Sequence, residues 1–133
     1  MNPDNASARE KLWNNYCTSK NFSDAANFYR KMTTTKPMDD VFWFDLGYSL
    51  VELKDYEGAI TAYTRSAELK ANSAGTYNNR GWAYYCLKQY ERAIKDFDKA
   101  LQINPNYTQA KNNRDACLKA ISGGASAPSI TKE

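Results

Sequence analysis

The chain contains no histidine among its 133 residues, which removes the commonest general base and the commonest metal ligand. Its three cysteines, Cys17, Cys86 and Cys117, are widely separated and include no Cys-x-x-Cys, so they do not make a zinc centre. An odd, scattered set of this kind reads as reduced, packed thiols of a cytoplasmic protein. No phosphate-cradling glycine loop appears, since Gly123-Gly124 lies in the C-terminal stretch. No Ser/Lys pair or carboxylate pair has supporting neighbours, so the chain is expected to be neither an enzyme nor a carrier of metal or cofactor. The side chains left to do chemistry are carboxamides and aromatic rings. Asn78-Asn79 recurs 34 residues later as Asn112-Asn113, although Asn inside a helix costs roughly 0.5 kcal/mol against Ala. A carboxamide both donates and accepts, so it can clamp a peptide backbone without reading side chains. Solubility or hydrogen bonding between helices is the competing use. Aromatic residues make up 14% of the chain, ten of them Tyr, and so many rings need either a packed interior or a binding surface.

The elements that must position these groups follow from a 34-residue period. In residues 74–107, Gly81, Tyr84, Tyr90, Ala93, Phe97, Ala100 and Pro105 stand out. The residues 34 places earlier are Gly47, Leu50, Tyr56, Ala59, Tyr63, Ser66 and Ala71, which match in size and polarity at all but the last. A further 34 back stand Trp13, Tyr16, Phe22, Ala25, Tyr29, Met32 and Pro37, with Trp13 and Met32 the exceptions. Each copy reads as two helices. In the third, Tyr77, Gly81, Tyr84 and Tyr85 form one helical stripe, and Ala93, Ile94, Phe97, Ala100 and Leu101 form the other. Residues 87–90 are the short connection, and Asn104-Pro105-Asn106 ends the second helix because proline disfavours helical geometry in the residue before it. Gly81 and Ala93 let the paired helices approach closely. One pair cannot bury its apolar face alone, so pairs must stack.

These residues resemble the tetratricopeptide repeat family, whose pattern is W-x2-L-G-x2-Y, then A-x3-F, then P. The second copy carries Trp43, Leu46, Gly47, Ala59 and Tyr63, and the third carries Tyr77, Gly81, Tyr84, Ala93, Phe97 and Pro105. The resemblance implies an all-α, right-handed superhelical solenoid of three helix-turn-helix repeats, at 6–39, 40–73 and 74–107. A seventh, capping helix follows at 107–121, so that residues 1–121 form one domain and 122–133 a flexible tail. The inner side of the capping helix is expected to use Ala110, Cys117 and Ile121. Trp13 stands where the family has its glycine, so the first two helices must splay or pack differently.

In this family the first helix of each pair lines a concave groove. By register, the positions facing it are Ser7, Glu10, Lys11, Asn14 and Cys17, then Val41, Phe44, Asp45, Tyr48 and Val51. Gly75, Asn78, Asn79, Trp82 and Tyr85 follow, and the capping helix adds Gln109, Asn112, Asn113 and Ala116. Phe44, Tyr48, Trp82 and Tyr85 would share one aromatic wall suited to an apolar anchor, unless the rings merely pack between adjacent repeats. Stacked Asn residues hold extended peptides in some long members of the family, and here Asn79 and Asn113 repeat while Lys11 and Asp45 take the matching places. The candidate groove is therefore Asn14, Phe44, Asp45, Tyr48, Asn78, Asn79, Trp82, Tyr85, Asn112 and Asn113. Arg80 and Arg114 also recur, their stems expected between helices and their charged ends near the groove floor.

The function implied is a non-catalytic adaptor that holds a peptide or helix of a protein partner. Family members that serve heat-shock chaperones clamp a C-terminal carboxylate with Lys and Asn, then Asn, then Lys and Arg. The matching positions here are Glu10 and Asn14, Asp45, and Gly75 and Asn79, of which only Asn14 fits. Glu10 and Asp45 would each repel a carboxylate by about 1 kcal/mol at a partly solvated position, which counts against that partner. A net charge of +3 is too weak to point to nucleic acid. It is distributed as +3 over residues 6–39, −3 over 40–73 and +2 over 74–107, an acidic middle between basic flanks. No apolar run reaches about 18 residues, so no membrane span is expected, and Met1-Asn2-Pro3-Asp4 begins no signal peptide. Alternative uses of the same architecture are self-association through the open ends or the Trp13 region, with the monomer favoured, and chaperoning of a secreted or assembled substrate.

Overall fold

A computed structural model describes residues 6–123, so most of the expected tail and the N-terminal Met1–Asp4 reading lie outside the described residues. Seven α-helices occupy the rest: α1 Ala6–Ser19, α2 Phe22–Thr35, α3 Asp40–Glu52, α4 Tyr56–Leu69, α5 Ala74–Cys86, α6 Tyr90–Ile103 and α7 Thr108–Ser122. They stack as successive antiparallel pairs, with α7 laid against α6 and touching α5.

The 34-residue period is written into the backbone as well as the side chains. Lys20, Lys54 and Lys88, each 34 apart, have φ of 56°, 65° and 62°. Each sits just beyond the end of the first helix of its pair, in the left-handed conformation that closes a helix C-terminus. Around Lys54 the closure is complete: its own N–H donates to the Val51 carbonyl at 2.9 Å and the Asp55 N–H to the Leu50 carbonyl at 2.8 Å. Asp55 then caps the next helix, accepting from the Gly58 N–H at 3.0 Å. Asn21, Asp39 and Ser73 cap α2, α3 and α5 in the same way.

Close approach within the second and third pairs depends on glycine. A Cβ on Gly47 would lie 2.7 Å from the Tyr63 ring, and one on Gly81 2.7 Å from the Phe97 ring. Phe97 is thereby wholly buried, which contributes roughly 1.5–3 kcal/mol by removal from water. A continuous core runs through α2, α3 and α4 as Ala25, Ala26, Tyr29, Phe42, Leu46, Leu50, Ala59, Ala62 and Tyr63, and a second gathers Ala93, Phe97 and Cys117.

The first pair departs from this as Trp13 predicts. The indole occupies the space a glycine would leave, meeting Tyr29 edge-on at 5.9 Å and Tyr48 at 5.1 Å. Consequently α1 approaches α2 much less closely than α3 approaches α4, and no residue of α1 is fully buried. Its outer end is held by the Arg9 guanidinium, which donates to Asp39 at 2.7 Å and lies 4.5 Å from the Phe42 ring centre.

At the other end, Ala110 and Cys117 cover the third repeat as expected, but Ile121 is 49% exposed. It lies on the final turn of α7, beside the N-terminal end of α6, and lines a shallow depression with Tyr90 and Arg92 there. All three cysteines are free thiols; Cys117 is buried and Cys17 and Cys86 are half-buried.

Candidate functional site

Helix α3 presents Tyr48, Val51 and Glu52 on one face, one turn apart. Helix α5 presents Asn78, Asn79 and Trp82 opposite, and α7 adds Gln109 and Asn113 from the C-terminal side. Together with Tyr63 of α4 these residues enclose a cavity of about 300 Å³. Five of the ten groove residues predicted from sequence meet here: Tyr48, Asn78, Asn79, Trp82 and Asn113.

The remaining five lie elsewhere. Asn14 is exposed on the peripheral α1, Asn112 is exposed on α7, and neither lines this cavity. Phe44 packs edge-on against Tyr63 at 5.6 Å and stands 3.9 Å from where a Gly75 Cβ would be, so its ring fills the joint between the second and third repeats. Tyr85 lies under Trp82, nearly parallel at 5.3 Å, and meets Tyr90 edge-on at 5.6 Å. It supports the tryptophan from behind, leaving the indole 39% exposed. Asp45 lines a second cavity of about 280 Å³, with Ala6, Arg9, Glu10, Trp13 and Val41, farther along the same face of α3.

The carboxamides divide their work. Asn78 is 1% exposed and forms the hub of a network between helices. Its Nδ2 donates to Asn79 at 3.3 Å and Gln109 at 3.2 Å, and its Oδ1 accepts from Asn113 Nδ2 at 3.1 Å. Burying an amide stabilises a fold only when it is paired in this way. Asn78 and Asn113 therefore tie α5 to α7. The Tyr107 phenol, hydrogen-bonded to the Asn78 side chain, is held above its ordinary pKa by burial, with that hydrogen bond acting the other way.

Tyr63 forms the cavity floor, and burial drives its phenol far above the usual range, opposed by its hydrogen bond with Asn79. The Tyr48 phenol is also raised, first by burial and then by the charges of Glu52 and Cys17. Asp45 is the most perturbed carboxylate: burial lifts it from 3.8 to about 7, Arg9 pulling it down and Asp39 adding to the rise.

Val51 and Gln109 were legible as groove-facing by register, whereas Glu52 and Tyr63 were not assigned to the wall. Glu52 stands one turn beyond Tyr48, so continuing the stripe to the end of α3 reaches it. Tyr63 occupies the aromatic position of the second helix, and the repeat pattern alone marks it as core.

Arg80 and Arg114 correct one expectation. Arg80 turns away from the groove, donating from Nε and Nη2 to Asp96 of α6 at 2.8 and 2.7 Å and from Nη1 to Thr64 at 3.2 Å. Asp96 is buried, and only a planar, two-point partner satisfies both its oxygens there. Arg114 reaches Asp98 of α6 at 3.1 Å. The carboxylates at positions 96 and 98 draw both guanidiniums outward, leaving the central cavity with no cation in its lining.

Antiparallel helix pairs, repeated every 34 residues and curved around a pocket lined by their first helices, define a helical-repeat scaffold. Residues 74–107 match a family model described as tetratricopeptide repeat, and residues 47–88 match one described as TPR repeat. Residues 47–107 thus carry tetratricopeptide repeats, and the chain as a whole has the fold of a three-repeat TPR domain. Among solved structures it is similar to the first TPR of Spaghetti (RPAP3) bound to the HSP90 peptide SRMEEVD, at 22% identity and a TM-score of 0.83, over 92% of this chain and 97% of that one. It is also similar to the Sgt2 TPR domain from Aspergillus fumigatus, at 14% identity and 0.82, over 95% and 88%. The Yersinia enterocolitica type III secretion chaperone SycD, in complex with a peptide of the translocator YopD, follows at 16% identity and 0.75, over 88% and 97%. A comparison with curated protein sequences finds no match. No described helix is long and apolar enough to cross a membrane.

Proposed function

We propose that the chain is a non-catalytic protein-interaction adaptor whose central cavity holds an extended segment of a partner polypeptide. The observation that carries this is the cavity itself: about 300 Å³, walled by Tyr48 and the exposed face of Trp82, with Asn79 and Gln109 at its sides. An apolar anchor flanked by groups that can bond a peptide backbone is what such a segment needs. Two of the similar structures hold peptides, of HSP90 and of YopD respectively. They lend no support to excluding a chaperone tail. What argues against one in this chain is chemical: Glu10 and Asp45, at two of the clamp positions, line the neighbouring cavity and would face a carboxylate. The free thiols fit a reducing, cytoplasmic setting.

The test is recovery of partners from the source cell by wild type and by a Tyr48→Ala, Trp82→Ala variant whose helix content and melting are checked first. Partners captured by the wild type and lost by the variant are the expected result. Recovery of the same partners by both would refute binding at this cavity.

A further inference from the structure

The cavity carries more chemical information than its shape. Its wall holds three rings, Tyr48, Tyr63 and Trp82, and four carboxamides, Asn78, Asn79, Gln109 and Asn113. Its single charged residue is Glu52. Among the described residues Glu52 makes no ion pair. Its charge is nevertheless felt inside the cavity, where it raises the phenols of both Tyr48 and Tyr63. Glu52 is also the last residue of α3. The helix dipole puts partial negative charge at that end, so a carboxylate there disfavours the helix rather than stabilising it. A local structural reason for the residue is missing, and a cation from outside would supply one.

The hydrogen-bond accounting points the same way. Both amide hydrogens of Asn78 are spent within the network, as is one from Asn113. The Asn113 oxygen and the Glu52 carboxylate remain as acceptors at the cavity. In the neighbouring cavity Glu10 adds a further carboxylate, while the cation lining it, Arg9, is already engaged with Asp39 and the Phe42 ring.

Building on the adaptor reading above, we propose that the cavity receives the cationic side chain of a lysine or arginine from the partner's segment. The aliphatic stem would lie along Tyr48 and Trp82, and the ammonium or guanidinium would meet the Glu52 carboxylate and the amide oxygens. An exposed ion pair contributes modestly and the contact with the rings survives its loss, so removing Glu52 alone should weaken such a peptide by up to about 5-fold.

The experiment uses the full chain, immobilised, and a degenerate pool of soluble dodecapeptides amidated at the C-terminus, so that no terminal carboxylate competes. Sequencing of the bound fraction should show Lys and Arg enriched several-fold at one position. That enrichment should disappear with Glu52→Gln, while the melting temperature holds or rises slightly. The Tyr48→Ala, Trp82→Ala variant should show no positional enrichment of any kind. Enrichment of acidic or uncharged side chains in place of Lys and Arg overturns the cation assignment and leaves the adaptor reading standing. Unchanged Lys and Arg enrichment with Glu52→Gln likewise overturns the role of that carboxylate. A wild-type profile no different from the double variant's overturns both readings together.

Discussion

Asp45→Asn is expected to stabilise the folded chain at pH 8 and to leave its stability nearly unchanged near pH 4. The Asp45 carboxyl is lifted by burial from 3.8 to about 7. Between those values the folded chain keeps a proton that the unfolded chain has released. Stability therefore falls as pH rises through that window, by up to about 1.4 kcal/mol per pH unit for this one group, and is level above it. The full window of about three pH units sets a ceiling of roughly 4 kcal/mol. Asp45 is half-buried and has Arg9 nearby, so its ion is partly solvated and partly paired, which brings the expected difference to about 2 kcal/mol. Asn has nearly the same shape, and the Asp45 backbone carbonyl still accepts from Ser49 Oγ at 2.8 Å, so the helix is undisturbed. Urea unfolding followed by helical circular dichroism at about pH 4.5, 6 and 8 gives the three free energies needed. A variant that gains the same amount at every pH would refute the burial argument. One that loses stability at pH 8 would show that Asp45 is held ionised by Arg9.

Two further changes test how the repeats are built. Gly81→Ala should cost about 1–3 kcal/mol, because its Cβ would lie 2.7 Å from the wholly buried Phe97 ring; a raised melting temperature would show that the helices can part without loss. Lys88→Gly should raise the urea midpoint by an amount worth about 0.5–1 kcal/mol, since it relieves a left-handed residue at some cost in chain entropy. An unchanged or lowered midpoint would mean that φ of 62° is unstrained there.

How much of this was legible in the sequence varies with how local the cause is. The helix pairs were legible because glycine facing an aromatic ring, as in Gly81 and Phe97, recurs at a fixed spacing and has one mechanical use. Trp13 in a glycine place foretold a loosened first pair for the same reason. The left-handed lysines at 20, 54 and 88 share the period too, but lysine is ordinary on a surface, and nothing in its chemistry marks a positive φ. Half of the predicted groove came together because register along α3 and α5 is a local property. It placed Tyr48, Asn79 and Trp82 well and could not place Phe44, whose ring turns into the repeat joint through contacts with Tyr63 and Gly75. Nor could it place Arg80, whose direction is decided by a carboxylate on another helix.

Of the two uses proposed for the asparagine pairs, bonding between helices is the one that Asn78 and Asn113 serve. Asn78 is committed to the fold: it is buried, and its bonds to Gln109 and Asn113 hold α7 against α5. Removing it would strip partners from groups on two helices and loosen α7, so any loss of binding would be secondary to a change of shape. Trp82 and Glu52 are the reverse case, both exposed on the cavity wall. The seventh helix is consequently more than a cover for an open end. By placing Gln109 and Asn113 in the cavity wall, it makes the pocket depend on the array being closed. That dependence sets this cavity, walled by the second and third repeats and α7, apart from the one beside α1, whose helix Trp13 holds farther off.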